Sequence, residues 1–574
     1  MSEVRNLVLA IATSVAVTVG WKFVYERMFV KEPPRQEITS ESLIPELVDV
    51  AEYKPRAYAI GAVPRVRLGN ANVHASIALK GALVDDLSLT KYRVSTDKRS
   101  ENVILMSPEG TEGDSIVEFG WIDPGRSIKV PGKDTLWKVE EEGSESAENR
   151  RFTSLSWDNG EGITFRLKFS LDKSYMFSVS QEIENSTKTE VRLAHYGRIN
   201  KAHASDGKSY WISHEGAIGS FGHGLQEWTY KDLQKGDDVK VVSAVHEGDG
   251  SHWIGLADKY WFAALIPSPT GGGKLAFRAK HVPRSGADHF QVDFSRSYGT
   301  IPAGGKATAT TRLFVGAKEL AALDGYRKEL NIPLFDKAVD FGILYFITKP
   351  VFLLLQYFHK VIGNFGLAIV MLTISIKLVV FPLSSRSYVS MFKLKKLQPE
   401  ISRIRELYKT DDARIGKEIA SLFRKHGVSP ISGFLPILVQ IPVFFALYKV
   451  LFVTIEMRHA PLFAWIQDLS SQDTANLLNL FGLLKFDPPV CIGVLPIILG
   501  ITMVIQQRLN QQDQAAQDPY GIMKFLPYIF VVVFSSFPAG LVLYWICSNV
   551  ITILQQLLVR RLVSGKRDLV NNSA

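Results

Sequence analysis

The sequence contains very little cysteine. Of its 574 residues only Cys491 and Cys547 are cysteine, and both lie inside long apolar runs. Disulfide-stabilised exported domains need paired cysteines outside such runs. Any domain formed by the polar part of the chain must therefore be held together by its own hydrophobic core.

Catalytic and metal-binding motifs are also missing from the sequence. The twelve histidines show no paired metal-ligand spacing, and the glycines at 271–273 before Lys274 lack the spacing of a phosphate-binding loop. The apolar runs contain no acidic residue, which argues against a proton-coupled pump or an intramembrane aspartyl protease. We therefore expect a protein that is not an enzyme and that has no metal or cofactor.

Long apolar runs are abundant instead. About 20 apolar residues cross a bilayer, and five runs carry no charge except Lys377: residues 6–21, 365–383, 427–448, 488–507 and 525–559. The last run is too long for one crossing of about 30 Å, and Pro538, Ala539 and Gly540 interrupt it. The pattern predicts six membrane spans in a polytopic α-helical membrane protein.

The distribution of charge predicts the orientation of these spans. Residues 384–433 carry eleven Lys or Arg against five acids, and the tail from Arg560 carries four against one, whereas residues 456–489 carry two against four. Cytoplasmic segments of membrane proteins are enriched in Lys and Arg. Both termini are therefore predicted inside and residues 25–335 outside; a cleaved signal peptide is the alternative for the first run.

The segment between the first two spans predicts a β-rich domain. Residues 31–48 read as a polar tether, and beyond them apolar and polar residues alternate at 73–80 and 165–171. This alternation is typical of half-buried strands. Similar runs follow at 239–245 and 275–279, separated by loops at 140–149 and 271–273. We expect an antiparallel β-sandwich over residues 56–330.

Two helical segments outside the spans are also predicted. Residues 331–362 mix charged and apolar residues as an interfacial amphipathic helix does, although a buried helix of the β-rich domain is the alternative. Residues 385–428 predict an antiparallel helical hairpin, with apolar positions at steps of three and four, Asp411 and Asp412 at its turn and Gly427 as its stop. Its cationic faces suit anionic lipid or ribosomal RNA, or are simply solvated.

Lys377 is the one charge within the five apolar runs. It is the thirteenth residue of its run, about 18 Å from the outer end and about 9 Å from the inner end of that helix. A charge there is costly unless it meets water or a partner. The lysine could also snorkel to the inner interface, as Lys449 is expected to do at the outer end of the third span.

Polar residues accompany Lys377 both in its own span, where Thr373 lies one turn earlier on the same face, and in the other spans. The amides and hydroxyls in question are Thr373, Gln440, Gln506, Gln507, Ser535, Ser536, Ser548 and Asn549. Such groups are costly in hydrocarbon unless they line a wet cavity or bond between helices. The pattern favours a hydrated concavity, with helix-to-helix hydrogen bonds as the alternative.

Four motifs in this region resemble the YidC family of membrane protein insertases. They are F-P-L-S at 381–384, K-L-Q-P at 396–399, G-x-x-P-x-x-x-Q-x-P-x-F at 433–444 and F-P-A-G-L-V-L-Y-W at 537–545. The resemblance is strong over residues 335–563 and extends to the first span and to the β-rich domain. A solute transporter would instead show internal repeats, and an envelope enzyme a catalytic pair, neither of which is evident.

The resemblance implies a five-helix core with a hydrophilic groove open to the cytoplasm and to lipid. The groove cation aligns with Lys377, where bacterial members commonly carry Arg. Groove-lining positions carry over to Thr373, Gln440, Gln507 and Trp545, and the substrate-contacting face to Pro436, Ile441, Pro442 and Phe444.

The resemblance also implies a location and partners. The protein would sit in a bacterial inner membrane with the β domain in the periplasm. Its partners would be nascent membrane proteins, phospholipid, the secretion translocon and the ribosome, but not DNA. The predicted segments are an anchor at 1–25, a linker at 26–55, the β domain at 56–330, the interfacial helix at 331–362, spans at 363–384, 429–455, 489–508, 521–537 and 539–560, the hairpin at 385–428, a periplasmic loop at 456–488, a cytoplasmic loop at 509–520 and a basic tail at 561–574.

Overall fold

The computed structural model describes most of the chain after the predicted linker. The described residues are 44, 53–145, 150–203, 213–221, 224–235, 240–245, 251–269, 275–284, 287–342, 344–409, 411–427, 435–463, 465–477, 492–510 and 522–571. The predicted anchor at 1–25, most of the linker at 26–55 and nearly all of the cytoplasmic loop at 509–520 lie outside this set.

Residues 56–330 form the β domain, which is built from strands with three short helices. The helices are α1 (Arg56–Gly61), α2 (Tyr230–Gln234) and α3 (Leu320–Glu329). The strands are β1 (Arg65–Gly69), β2 (Val73–Ala78), β3 (Leu83–Arg93), β4 (Asn102–Met106), β5 (Ser115–Ile122), β6 (Lys138–Glu145), β7 (Arg150–Asp158), β8 (Ile163–Leu171), β9 (Met176–Asn185), β10 (Val191–His203), β11 (Gly216–Ser220), β12 (Leu225–Thr229), β13 (Lys240–Val245), β14 (Trp253–Ala257), β15 (Trp261–Pro267), β16 (Leu275–Val282), β17 (Asp288–Ile301) and β18 (Lys306–Ala317).

The strands pair into two antiparallel sheets that pack face to face. The first sheet has the order β1-β2-β3-β5-β10-β17-β16-β13 with β4 beside β3, and the second has the order β12-β11-β14-β15-β18-β9-β8-β7-β6. Aromatic side chains interdigitate between them: the ring centroid of Trp121 on β5 lies 5.0 Å from that of Phe165 on β8. The predicted β-sandwich is therefore confirmed.

The predicted alternation of buried and exposed residues is present in β8, but it is absent from β5 in the centre of the first sheet. In β8 buried residues alternate with more exposed ones along the strand, whereas all eight residues of β5 are buried. The second face of that sheet carries a row of paired charges, Glu118, Arg198, Asp293 and Arg278, on four adjacent strands. Because each charge there faces an opposite one, the polar face can be buried as well.

Part of the acidic segment that the sequence predicts as a loop, 140–149, is a strand, because residues 140–145 belong to β6; residues 146–149 lie outside the described set. Strand β6 runs to Glu145 and pairs only with β7, so it is the edge strand of the second sheet. Exposed charges such as Glu141 and Glu142 are common on edge strands, where they discourage pairing with other chains. The run of charged residues that predicts a loop is therefore explained by the position of β6 at the edge of the sheet.

The described residues after the β domain are mostly helical. They include a 3-10 turn (Phe335–Ala338), α4 (Tyr345–Ile362), α5 (Phe365–Leu407), α6 (Asp412–Lys425), α7 (Leu435–Val453), a second 3-10 turn (Ile455–Met457), α8 (Val494–Asn510), α9 (Ile522–Phe534) and α10 (Ala539–Asn571). Phe365–Leu394 and Ala539–Leu562 are long and apolar enough to cross a membrane, and Gln440–Val453, Val494–Leu509 and Phe525–Phe534 are shorter apolar helices.

Three predicted boundaries differ from the observed ones. Helix α5 continues past residue 384 into the first arm of the hairpin, and α10 continues past residue 560 into the basic tail. No glycine or capping residue ends either helix at those points, so the hydrogen-bond ladder propagates. The segment at 331–362 is instead divided, because Gly342 adopts a left-handed conformation (φ +67°) before α4 begins.

Helix α4 has one face buried and one face exposed. Thr348, Phe352 and Leu355 are buried, whereas Phe346 and Tyr357 are exposed. Exposed aromatic and apolar side chains on one face fit a helix at a membrane interface, which stays a prediction for this segment.

The hairpin forms where the sequence predicted it. Leu397 and Ile401 on α5 are buried against Ile419 and Leu422 on α6. The Asp411 side chain caps α6 by accepting from the backbone N–H of Arg414 at 3.0 Å. Gly427 follows the helix with a φ of +58°, a conformation that favours glycine at a helix end.

The β domain contacts the neighbouring ends of the helices directly. Arg458, just after α7, donates to the carbonyl of Val94 at 3.1 Å, and the Lys259 ammonium lies 3.7 Å from the ring centroid of Phe452. We call this end of the helices the β-domain end.

We expect the core of the β domain to control its stability. Leu167 on β8 is 0% exposed and Leu136 is 60% exposed. Leu167→Ala should lower the free energy of unfolding by about 2–5 kcal/mol because it leaves a cavity, whereas Leu136→Ala should change it by less than about 0.5 kcal/mol. Urea unfolding followed by tryptophan fluorescence measures both variants, and equal losses would contradict the assigned core.

Candidate functional site

Lys377 lies between three helices and is held by polar side chains from two of them. Its Nζ donates to Oγ1 of Thr552 on α10 at 3.0 Å and to Oε1 of Gln440 on α7 at 3.3 Å. The Gln440 amide in turn donates to the hydroxyl of Tyr544 on α10. These four residues, which we call the lysine cluster, tie α5, α7 and α10 together through one ammonium group.

Three residues of the lysine cluster, one from each helix, lie at the same level. The loop after α7 contacts the first residues of α5 and α10, since Asn364 donates to the Leu462 carbonyl at 2.8 Å and the Gly540 N–H to the Leu469 carbonyl at 3.0 Å. Counted from this β-domain end, Lys377, Gln440 and Thr552 lie about 18–20 Å along their helices, and Tyr544 lies about 8 Å along α10.

Lys377 therefore does not snorkel in this structure. Snorkelling would carry the ammonium along α5 toward the nearer interface, but Nζ instead bonds to Gln440 and Thr552 at its own level. This geometry agrees with the expectation that polar side chains around Lys377, and not the membrane interface, accommodate its charge.

A polar stripe on α10 forms the floor of the lysine cluster. Tyr544, Ser548 and Thr552 follow one another at steps of four, and all three are buried together with Gln555 and Gln556. Ser548 is one of the polar residues that the sequence predicts near Lys377, whereas Tyr544 and Thr552 are not among them. Their spacing of four within an apolar helix was the available signal, because it places them on one face.

Two predicted groove residues lie apart from the contacts of Lys377. Thr373 is fully buried, and its hydroxyl donates to the Ile369 carbonyl of its own helix at 2.7 Å. The prediction that Thr373 faces an open groove therefore does not agree with its position inside the helix bundle. Gln507 is half-buried near the end of α8, a helix that packs against α9 and α10.

Trp545 belongs to an aromatic cluster rather than to the lysine cluster. Its ring centroid lies 4.8 Å from that of Phe534, 5.9 Å from Phe530 and 5.4 Å from Phe444. The preceding residue Tyr544, not Trp545, points to Gln440. Successive residues of a helix point about 100° apart. The motif at 537–545 therefore indicates the correct turn of α10, but the side chain that contacts Gln440 is Tyr544 and not the predicted Trp545.

The predicted substrate-contacting face of α7 is divided between two sides of the helix. Ile441 is 45% exposed, and Phe445, one turn later, is 51% exposed. Phe444 turns inward to the aromatic cluster, and Pro442 is half-buried. The side chain of Pro436 lies outside the described set. Ile441 and Phe445 therefore form the exposed face of α7.

Lys449 forms an ion pair with a residue from outside its own helix. Its Nζ donates to Oδ2 of Asp340 at 2.7 Å, and both side chains are largely buried. Asp340 lies after the β domain and 109 positions earlier in the chain, so sequence proximity gave no sign of this pair. Snorkelling to the outer interface stays a prediction for Lys449, whose ammonium pairs with a carboxylate near the β-domain end.

Among the described residues, no group of three or more His, Cys, Asp or Glu side chains could hold a metal ion. The carboxyl group of Glu456, which lies near the β-domain end, is buried. Burial raises the pKa of Glu456 to about 7, although a hydrogen bond from Gln356 to its Oε1 at 3.2 Å opposes the shift.

Together, the β-sandwich and the helices with a charged cluster between them define a polytopic membrane protein with a large extramembrane domain. The comparisons with known proteins agree. A sequence profile for the YidC periplasmic domain matches residues 65–354, and one for the 60Kd inner membrane protein matches residues 357–566. The chain belongs to the YidC family of inner membrane proteins.

Individual relatives match nearly the whole chain. It is 40% identical over 567 residues to a protein of Rickettsia typhi and 39% identical over 574 residues to one of Rickettsia canadensis, both named membrane protein insertase YidC. Each match covers 98% of this chain and 99% of the relative. A crystal structure of an active YidC insertase aligns with 95% of this chain and 98% of its own, at 15% identity and a TM-score of 0.34.

The raised pKa of Glu456 predicts a pH dependence of stability. Its carboxyl has an ordinary pKa of 4.5 and a pKa of about 7 in the folded protein, so the folded state binds the proton more tightly. The stabilisation by this proton is complete below pH 4.5 and is lost as the pH rises through about 7. Glu456→Gln, which mimics the protonated form, should remove this loss.

Melting temperatures in detergent at pH 5.5 and pH 8 measure the effect. We expect the decrease between the two pH values to be smaller in Glu456→Gln than in the wild type, by about 2 °C or more. The exposed Glu329 provides the control, since Glu329→Gln also removes one carboxylate. An identical decrease in all three proteins would contradict the assigned burial of Glu456.

Proposed function

We propose that this protein is a membrane protein insertase that moves nascent transmembrane segments from the cytoplasm into the inner membrane and assists their folding. Two Rickettsia relatives, about 40% identical over nearly the whole chain, bear the name insertase. The observation that carries the mechanism is the ammonium of Lys377, held at one level between three apolar helices.

The mechanism follows from the cost of moving charge into hydrocarbon. A short acidic or polar tail on a nascent segment resists entry into the bilayer because its charge would lose water. Near Lys377 that tail meets a positive charge and the hydroxyl and amide groups around it. Two unit charges 4 Å apart attract by about 4 kcal/mol at an effective dielectric constant of 20, which offsets part of the desolvation.

The apolar part of the segment supplies the driving force. Burial of apolar surface is worth roughly 25 cal/mol per Å², and a segment of about 20 apolar residues suffices to span the bilayer. On this account the exposed face of α7, with Ile441 and Phe445, receives the apolar part while the tail rests near Lys377. The proposed activity is binding and release rather than catalysis, so it requires neither cofactor nor nucleotide.

Lys377 must remain charged for this role. Where family relatives commonly carry Arg, a lysine presents a compact ammonium that loses its proton more readily when it is desolvated. The bound oxygens of Gln440 and Thr552 favour the charged form, since both accept hydrogen bonds from it. We infer that water also reaches the lysine cluster.

The proposed orientation places both termini in the cytoplasm and residues 25–335 in the periplasm. The hairpin and the basic tail then face the cytoplasm, where Arg414 and Lys417 are exposed on α6. Exposed cations suit the ribosome and anionic lipid headgroups. The β domain would offer a surface to the secretion translocon. The protein would act either alone or together with that translocon.

The decisive change is Lys377→Gln, assayed by insertion of a single-span test protein into proteoliposomes. With an acidic tail on the test protein, we expect insertion to fall by about 10-fold, equivalent to about 1.4 kcal/mol. With a neutral tail of the same length, insertion should change little, because only the electrostatic attraction is lost.

Lys393→Gln is the matched control, since Lys393 is exposed on the same helix beyond the lysine cluster. It removes the same charge without touching Gln440 or Thr552, and insertion should stay near the wild-type level. Equal insertion of the acidic-tailed protein by wild type and Lys377→Gln would refute the electrostatic mechanism.

A further inference from the structure

Helix α7 is attached to the rest of the protein by polar contacts at two levels. Gln440 bonds to Lys377 and Tyr544, and Lys449, nine residues later, bonds to Asp340. The intervening residues are almost entirely apolar. Apolar contacts lack direction, so the two polar attachments are the ones that specify how the helix is turned about its axis.

The outer attachment is built around the carboxylate of Asp340. Oδ2 accepts from Lys449 Nζ at 2.7 Å and from the backbone N–H of His214 at 3.0 Å, while Oδ1 accepts from the backbone N–H of Gly342 at 2.9 Å. Three donors therefore fix the carboxylate in place. A charged group held in this way forms a directional contact that a mobile surface charge does not.

Gly342 also shapes the path of the lysine side chain. A Cβ atom at this position would lie 3.1 Å from Cε of Lys449, and the glycine has a φ of +67°. The lysine stem thus crosses the backbone of the segment that leads from the β domain into α4. Both charged side chains are shielded from solvent, being 21% and 19% exposed, so salt screens the pair less than it would a surface pair.

Pro442 makes the second attachment necessary. Proline has no N–H and cannot donate to the carbonyl one turn earlier, so it weakens the mechanical coupling between the two parts of a helix. Gln440 lies before Pro442 and Lys449 lies after it. Fixing Gln440 alone would leave the outer part of α7 free to turn or bend at the proline.

We propose that the Asp340–Lys449 ion pair positions α7, by holding the part of the helix after Pro442 so that Phe445 faces outward and Phe444 faces the aromatic cluster. Asp340 and Lys449 are positioning residues with no contact to substrate. The inference deepens the proposed function, because it assigns the orientation of the face that would receive an apolar segment to a contact with the chain just after the β domain.

Chemical accessibility of α7 tests the proposal without any insertion assay. Cys491 and Cys547 are replaced by Ser, and Phe445→Cys or Phe444→Cys is introduced singly. In liposomes, a lipid-soluble maleimide should label position 445 faster than position 444. With Asp340→Asn added, we expect the ratio of the two labelling rates to fall by about threefold or more.

Two variants complete the comparison. Lys449→Arg keeps a cation opposite Asp340 and should keep the wild-type ratio, whereas Lys449→Met should lower it as Asp340→Asn does. Glu109→Gln is the matched control, because it breaks a 2.9 Å ion pair with Arg284 within the β domain, and it should leave the ratio unchanged.

An unchanged ratio in both Asp340→Asn and Lys449→Met would overturn the proposal. If Asp340→Asn does not accumulate in the membrane, Lys449→Met gives the same comparison. A lowered ratio supports the positioning role whatever the insertion assay shows. Insertion measured in the same variants then tests the proposed function separately: a turned helix with full insertion would contradict the role of the exposed face.

Discussion

The lack of water in a bilayer is the constraint on which the helical part of this protein depends. A polar group there needs a partner within the protein or water that the protein admits, and the ammonium of Lys377 has two protein partners, on different helices. The hydrogen bonds to this one ammonium fix the positions of α5, α7 and α10 along their axes relative to one another. The residue that would attract a substrate thus also organises the helices around it.

The same rule explains how the β domain is joined to the helices. Lys449, another cation of an apolar helix, meets the carboxylate of Asp340. Arg458 and Lys259 make further contacts across this end of the helices. Lys449 and Arg458 could have extended into solvent, but they contact the β domain or the segment that follows it. The extramembrane and membrane parts are therefore connected by specific contacts and not only by the chain between them.

The sequence predicted what depends on local periodicity. The alternation of β8, the hairpin between Leu397 and Ile419 and the break near Pro538 all appear in the structure. It did not predict contacts that depend on distant residues. Asp340 and Lys449 are far apart in the chain, and the burial of β5 on both faces required charges from three other strands. Within the site, Lys377 and Gln440 were predicted, but Thr552 was missed because a threonine in an apolar helix usually bonds to its own backbone.

The central claim is that a polar tail of a nascent segment rests beside Lys377 while its apolar part lies against α7. Photo-crosslinking to a stalled single-span chain tests this most directly, with the reactive residue at Val380, one turn beyond Lys377, at Phe445, or at Val379, which is 81% exposed on the same helix as Lys377. We predict crosslinks from Val380 to the acidic tail and from Phe445 to the apolar part, with few from Val379 to the tail. Equal tail crosslinking from Val379 and Val380, or crosslinks confined to the β domain, would contradict the account.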